Sequence, residues 1–171
     1  LPFSEIGRIG YFRTDTLPAG FSADLMVIRH YTQKDYPFIF TNGVQASYVE
    51  VDPETGFVKL LKHWAVEDCG RVINPMLVNE QVRGAIVQGI GGVLFEECLY
   101  DDSGLLRNGS MADYLVPMAN EMPDIEVAHV ETPTQSSKLG AKGAGEAGTA
   151  GAPGAVQNAI NDALVPFNAT V

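Results

Sequence analysis

Between Lys142 and Val156 the chain reads KGAGEAGTAGAPGAV, small residues around a single carboxylate, Glu146. Three kinds of chemistry use such a stretch. It can be a flexible linker kept soluble by its charge. Its backbone N–H groups can cradle a phosphate. Or the missing side chains can bring the backbone close to something large, with the carboxylate aimed at it. Gly143-Ala-Gly145-Glu-Ala-Gly148 matches the GxGxxG of dinucleotide-binding folds, but that pattern needs a strand running straight into it and an acidic residue about 20 positions on. Here TPTQSSKLGAK separates the glycines from the preceding strand-like segment, and the chain stops too soon. No Gly-Lys-Ser/Thr follows, so this is not a P-loop. A linker is not followed at once by an amphipathic helix, and Pro153 is expected to open one, with Val156, Ala159, Ile160, Ala163 and Leu164 on one face. A loop that leads into a helix offers free N–H groups at the helix's positive end. Those donors can hold a cofactor's polar edge while Glu146 serves as a base. A phosphate site favours positive groups, so the carboxylate argues for catalysis over phosphate binding.

The elements that must position this loop are legible in part. ASYVEVD (46–52) alternates Tyr48 and Glu50 against Ser47, Val49 and Val51, a half-buried strand. PETG (53–56) is a turn with Pro53 at its second position and Gly56 supplying positive φ, and FVKLLKHWAVEDC (57–69) returns as the partner strand. Residues 74–100 read as one long helix, capped by Asn74 with Pro75 in the first turn, and apolar at Val78, Val82, Ala85, Ile86, Gly89, Ile90, Val93 and Leu94. Gly84, Gly89, Gly91 and Gly92 each cost that helix about 1 kcal/mol against alanine, so another backbone or a ligand should approach closely. DDSG (101–104) is a turn, LLRNGS (105–110) a short strand, and DIEVAHVET (124–132) another alternating strand. Residues 1–43, with Pro2, Pro18 and Pro37, read as an irregular wrapping segment, and 44–171 as the folded part. The order gives an α+β fold, a mixed sheet with a β-hairpin and packed long helices, and too few strands for a complete sheet.

Composition narrows the function. The chain has 171 residues, 46% hydrophobic and 19% charged, which excludes general disorder. Its formal net charge of −10 argues against a nucleic-acid groove or an anionic membrane surface. The longest apolar run, within 84–95, carries Gln88 and four glycines and is too broken to span a bilayer. Cys69 and Cys98 have no CxxC and no histidine at ligand spacing, which argues against a zinc or iron–sulfur site built by this chain, and no metal-ligating residue is assigned. Both read as small core residues in a reducing compartment, and the expected location is cytoplasmic, with a periplasmic one left open. His30, His63 and His129 stand singly and read as surface or satisfied interior residues. Leu1 rather than Met stands first, so a processed subunit or a part of a longer chain is expected.

SKLGAKGAGEAGTAGAPGAVQNAINDAL (137–164) resembles the C-terminal signature of the molybdenum hydroxylases, whose loop runs Lys-Gly-x-Gly-Glu before an alanine-rich helix. VEDCGRVINPMLVNEQVRGAIVQGIGGVLFEE (66–97) resembles a second block of that family, and VEVDPETG (49–56) and DYLVPMANEMPDI (113–125) fall where it has corresponding stretches. The resemblance covers residues 44–165 in order. It implies the C-terminal part of a large, molybdopterin-binding subunit of the xanthine dehydrogenase, aldehyde oxidase and carbon monoxide dehydrogenase kind. The implied cofactor is a molybdenum–pterin group, in bacterial members often molybdopterin cytosine dinucleotide, with iron–sulfur clusters and FAD on other subunits or domains. Implied partners are the remainder of the large subunit, the iron–sulfur and FAD subunits and a small-molecule substrate, with no nucleic acid and no membrane insertion.

By the same resemblance Glu146 is the active-site base, in a dry pocket beside the metal, in a hydroxylation of an aldehyde or N-heterocyclic carbon that takes its oxygen from water. Lys142, Gly143, Ala144, Gly145 and Gln88 are the implied cofactor contacts. The family usually has glycine where this chain has Glu80, before Gln81. Asp68 and Asn74 read as residues that hold turns, and Glu96–Glu97 as a solvated helix end. The alternative is a cofactor- or phosphate-binding or structural fragment without activity on its own.

Overall fold

The computed structural model describes residues 1–32 and 38–171; Pro37, counted among the breakers of the first segment, lies outside the described residues. Two compact units divide the chain, Leu1–Lys34 and Asp35–Val171. The first is not irregular throughout. It opens with helix α1, Phe3–Phe12, started where the Pro2 carbonyl accepts from the N–H groups of Glu5 and Ile6, and laced by a Glu5–Arg8 ion pair one turn apart. Pro2 is tolerated because it precedes the first turn.

In the second unit β1 (Asn42–Val51) and β2 (Val58–Asp68) form the expected hairpin, closed at Asp52–Gly56, where Gly56 has φ +74°. The Asp52 carboxylate accepts from the Glu54 N–H and the Thr55 hydroxyl, which fixes the turn. On β1, Ser47, Val49 and Val51 are half-buried and Tyr48 and Glu50 exposed, as the alternation requires. A bulge interrupts the pairing: Tyr48 faces Lys62, Val49 faces Leu60, and Leu61 is left over. That extra residue reverses the parity of β2. Leu60 therefore shares one face with His63, Ala65 and Glu67, all buried. The strand β3, Ile125–His129, adds parallel to β2, giving a three-stranded mixed sheet in the order β1-β2-β3. It is shorter than the 124–132 expected.

Helix α2 spans Pro75–Leu94, with the Asn74 side chain accepting from the Leu77 N–H. It stops six residues before Tyr100, because the N–H groups of Phe95 and Glu96 both turn back to the Gly91 carbonyl. Glu96 is consequently no solvated helix end; its carboxylate accepts from the Tyr114 hydroxyl at 2.6 Å. Residues 105–110 form no strand, only a single bridge between Tyr100 and Leu106. Asn108, buried, ties the two stretches by donating to the Glu97 carbonyl and accepting from the Leu99 N–H. Cys69 is buried as expected, whereas Cys98 is exposed in this stretch.

Helix α3, Ala147–Leu164, begins six residues earlier than Pro153, which sits inside it. Tertiary contacts hold those added turns. Gly148 lies directly on the Val82 carbonyl of α2, and the Thr149 hydroxyl donates to the Ala85 carbonyl at 3.0 Å. Pro153 cannot donate to the Thr149 carbonyl, and that oxygen lies against Gly89, where an added Cβ would stand 2.9 Å from it. Of the four α2 glycines, Gly89 and Gly91 are close approaches, to α3 and to Pro117, while Gly84 and Gly92 meet nothing within 4 Å. Both helices cover one face of the sheet. Between them Leu60, Ala65, Val82, Ile86, Ile90, Ile125, Ala152, Val156 and Ile160 form the core. Among the described residues no helix is long and apolar enough to cross a membrane.

Candidate active site

The loop that carries Glu146 is nailed down from the end of β2. Asp68, the last residue of that strand, accepts from the N–H groups of Gly70 and Thr132, from the Thr132 hydroxyl, and from the Lys142 ammonium at 2.9 Å. Thr132 and Lys142 hold its carboxyl far below the usual carboxylate range. The backbone follows the side chains: the Lys142 N–H donates to the Cys69 carbonyl at 2.7 Å and the Arg71 N–H to the Gly140 carbonyl at 3.0 Å. Gly70 (φ +70°) and Gly140 (φ +75°) make the crossing possible, since a side chain on Gly70 would run into the Gly140 carbonyl. Asp68 thus holds a turn, as expected, and more than a turn.

Lys142, expected as a cofactor contact, has its side chain engaged elsewhere. Its ammonium is spent between Asp68 and Thr132 (2.7 Å), and it faces the strand ends rather than the cavity. Beyond it the chain changes character. Gly143, Ala144, Gly145 and Glu146 line a cavity of about 600 Å3, with Ile39 to Gly43, Gln45 and Glu67 on its other side. The Gly145 carbonyl is held by the Gln81 side chain at 2.8 Å, whereas a Cβ on Gly145 would meet nothing within 4 Å. Gln81, weakly supported by the sequence because of Glu80, is therefore the helix residue that touches the loop. Gln88 is exposed on α2 and does not line the cavity. One position before Gly89, it is turned about 100° from the line that meets α3.

Glu146 is the N-cap residue of α3, and its side chain makes no capping bond. Its carbonyl accepts from the Thr149 N–H at 3.1 Å, so the backbone is fixed, while among the described residues nothing holds the carboxylate. The first N–H groups of α3, at Ala147 and Gly148, have no acceptor within the helix, and they leave the same turn as the carboxylate. The dry surroundings expected for Glu146 are not supplied by these residues: its side chain is exposed, because Gly143, Ala144 and Gly145 give it no wall.

Sequence reasoning missed the polar groups beneath the loop. Glu67 is 2% exposed and His63 fully buried. Burial pushes the Glu67 carboxyl up from its ordinary value, against a hydrogen bond from Gln45, and pushes the His63 imidazole down. The signal was the spacing of Lys59 and Lys62: three apart, they fall on opposite faces of an unbroken strand.

The family model described as a molybdopterin cofactor-binding domain matches residues 2–123. The large subunit of nicotine 6-hydroxylase from Paenarthrobacter nicotinovorans is 44% identical over 168 residues, 98% of this chain and 20% of that protein. The carbon monoxide dehydrogenase large chain of Afipia carboxidovorans is 30% identical over 169 residues, again 98% of this chain and 20% of the relative. Among solved structures, quinoline 2-oxidoreductase from Pseudomonas putida 86 superposes with a TM-score of 0.78 at 42% identity, over 100% of this chain and 22% of that one. The chain therefore spans about a fifth of the length of the relatives it matches.

Proposed function

Because the chain belongs to the molybdopterin cofactor-binding domain family, that of the molybdenum hydroxylases, we propose that it supplies the base side of a hydroxylase active site, with Glu146 as the proton acceptor. The observation that carries this reading is the uncommitted Glu146 carboxylate on a fixed helix start, facing a cavity whose near wall is glycine and alanine backbone. The residues fit a molybdenum–pterin group: Gly145 leaves open a space that a side chain would fill, and Ala147, at the start of α3, lines the same cavity. When bound, that group supplies the two-electron oxidation of an electron-poor carbon with water as the oxygen source.

This chain's part is to hold and to move a proton. The backbone of Gly143 to Gly145 and the start of α3 at Ala147 would hold the group's polar edge, and Gln81 keeps the loop against α2. A Glu146 carboxylate oxygen accepts the proton released as the carbon is attacked. The other carboxyl on the cavity, Glu67, weighs against a phosphate cradle without turnover, since phosphate sites gather positive groups. The substrate class is an N-heterocyclic or aldehyde carbon. The identities to a nicotine hydroxylase and a quinoline oxidoreductase, both above the 30% to a carbon monoxide dehydrogenase, support the heterocycle. The cytosine dinucleotide form of the cofactor, electron transfer to iron–sulfur and FAD subunits, and a cytoplasmic location belong to the same proposal.

The test is Gly145→Val in the complete enzyme. A methyl at Gly145 meets nothing in this chain, so the chain itself should fold and melt as before. If the loop lies against the cofactor, molybdenum content should drop severalfold. Full molybdenum loading of that variant would refute the placement.

A further inference from the structure

Beneath the glycine-rich loop runs a polar array, with His63 and Glu67 buried and Gln45 and Ser47 half-buried, that proton transfer at Glu146 does not use. The Gln45 carboxamide is its centre. Its nitrogen donates to Glu67 Oε1 at 3.0 Å and to the Gly148 carbonyl at 2.9 Å. Its oxygen lies 3.1 Å from His63 Nε2, and His63 Nδ1 lies 2.9 Å from the Ser47 hydroxyl. An amide that gives both hydrogens away can only accept at its oxygen. His63 Nε2 therefore carries a proton and donates, and since burial favours the neutral ring, Ser47 donates to Nδ1. Every polar atom of the chain from Ser47 to Gln45 is matched.

Two glycines exist to make room for it. Gly43 pairs with Glu67 across the hairpin, and a methyl there would run into the Glu67 carboxylate. A methyl on Gly151 would stand 2.9 Å from Gln45 Cδ. An apolar filling would satisfy the core at lower cost in desolvation, so the directionality of the bonds is what the array adds. It adds this at one place, the first turn of α3. That turn, Ala147-Gly-Thr-Ala150, has almost no side chains with which to hold itself. From the α2 side it is fixed by Gly148 on the Val82 carbonyl and by Thr149 on the Ala85 carbonyl. From the sheet side it is fixed by Gln45.

We propose that Gln45 and Glu67 are positioning residues for Glu146, clamping the first turn of α3 to the sheet so that the carboxylate meets the cavity in one orientation. The proposal rests on the reading of Glu146 as the base. Productive geometry tolerates about 0.5 Å, and a displacement of about 1 Å costs about 10²-fold in rate. A turn built of glycine and alanine can slide by that much when it loses its sheet-side anchor. Glu67 acts one step further back, holding the Gln45 amide so that its second hydrogen points at Gly148.

The experiment uses the complete molybdenum enzyme with Gln45→Leu, Glu67→Leu and Glu67→Gln. Hydrogen exchange over residues 143–152, kcat, KM and molybdenum content are measured on each. Gln45→Leu and Glu67→Leu should speed exchange about tenfold and lower kcat about 10–10²-fold, with KM and molybdenum content near normal. Glu67→Gln returns an acceptor to Gln45 and should recover most of both losses. Should the leucine variants fail to assemble, Gly151→Ala keeps every polar group and presses on Gln45, and it should give the same signature. Unchanged exchange in Gln45→Leu or Gly151→Ala would overturn the clamp. So would molybdenum lost in step with activity in Glu67→Gln, which would make Glu67 a cofactor contact. An active Glu146→Gln enzyme that still shows fast exchange with Gln45→Leu would strike the base reading, and with it the clamp's catalytic meaning, while leaving the anchor of α3.

Discussion

Replacing Gly89 by alanine tests whether α2 and α3 meet backbone to backbone, the contact that sets where the Glu146 turn lies. Alanine is the better helix former by about 1 kcal/mol, so on propensity alone the substitution stabilises. At Gly89 the new methyl would stand 2.9 Å from Ala152 Cβ, 2.9 Å from the Thr149 carbonyl and 3.1 Å from Pro153 Cδ. Carbon atoms rest about 3.5–4.0 Å apart, and none of these neighbours is a flexible side-chain end. The helices must part by several tenths of an ångström, at the cost of about 1–3 kcal/mol typical of overpacking. After the propensity gain, a net loss of about 1–2 kcal/mol is expected at the upper end of that range. Gly84 sits on the same helix with nothing within 4 Å, and Gly84→Ala should keep the whole gain. At about 2–4 °C per kcal/mol for a chain of this size, thermal melts of the 171-residue chain followed by circular dichroism should move in opposite directions. Gly84→Ala should rise by about 2–4 °C and Gly89→Ala fall by about 2–8 °C. A rise for both would mean that the helices do not touch at Gly89.

The acid side of stability should belong to Asp68. Its carboxyl is held low in the folded chain by Thr132 and Lys142, so its stabilisation is present above the unfolded value near 4 and is lost as pH falls below it. Melting temperature should therefore fall less steeply between about pH 5 and pH 3 in Asp68→Asn than in the parent, and equal slopes would contradict the clamp. Glu67 has the opposite sign. Burial raises its carboxyl, so its contribution is full below the unfolded value near 4.3 and declines as pH rises through the folded one. Glu67→Gln should gain stability relative to the parent at pH 8 compared with pH 4, and a pH-independent difference would refute the buried acid. The 171-residue chain purified alone should hold no stoichiometric molybdenum by elemental analysis, since it spans about a fifth of its relatives; near one metal per chain would show that it carries a whole site.

The hairpin and the start of α2 were legible because local rules decide them: alternation at 47–51, a Pro-Glu-Thr-Gly turn, and Asn74-Pro75 at a helix start. What was lost lay in contacts between elements. Pro153 reads as a helix opener in isolation, and only packing of Gly148 and Thr149 on α2 adds the turns before it. The bulge at Leu61 reverses the faces of β2, so Glu67 and His63 look like solvated alternation until the register is known. Within the site, the glycine loop and Glu146 were visible from composition. The tie of Lys142 to Asp68 was not legible because that partner is 74 positions away. Gln45 was invisible for the same reason: its bonds reach to Gly148, 103 positions on, and one amide in a strand carries no local sign of that.

Glu146→Gln in the complete enzyme, assayed for turnover and molybdenum together, bears most directly on the central claim. The amide keeps the shape of the side chain and leaves the Glu146 backbone, with its bond from Thr149, untouched, but it cannot take a proton. Turnover should fall by about 10²–10⁴-fold, while molybdenum content should stay near that of the parent. Turnover near the parent rate with molybdenum fully loaded would contradict the assignment and leave the loop as a backbone clamp alone.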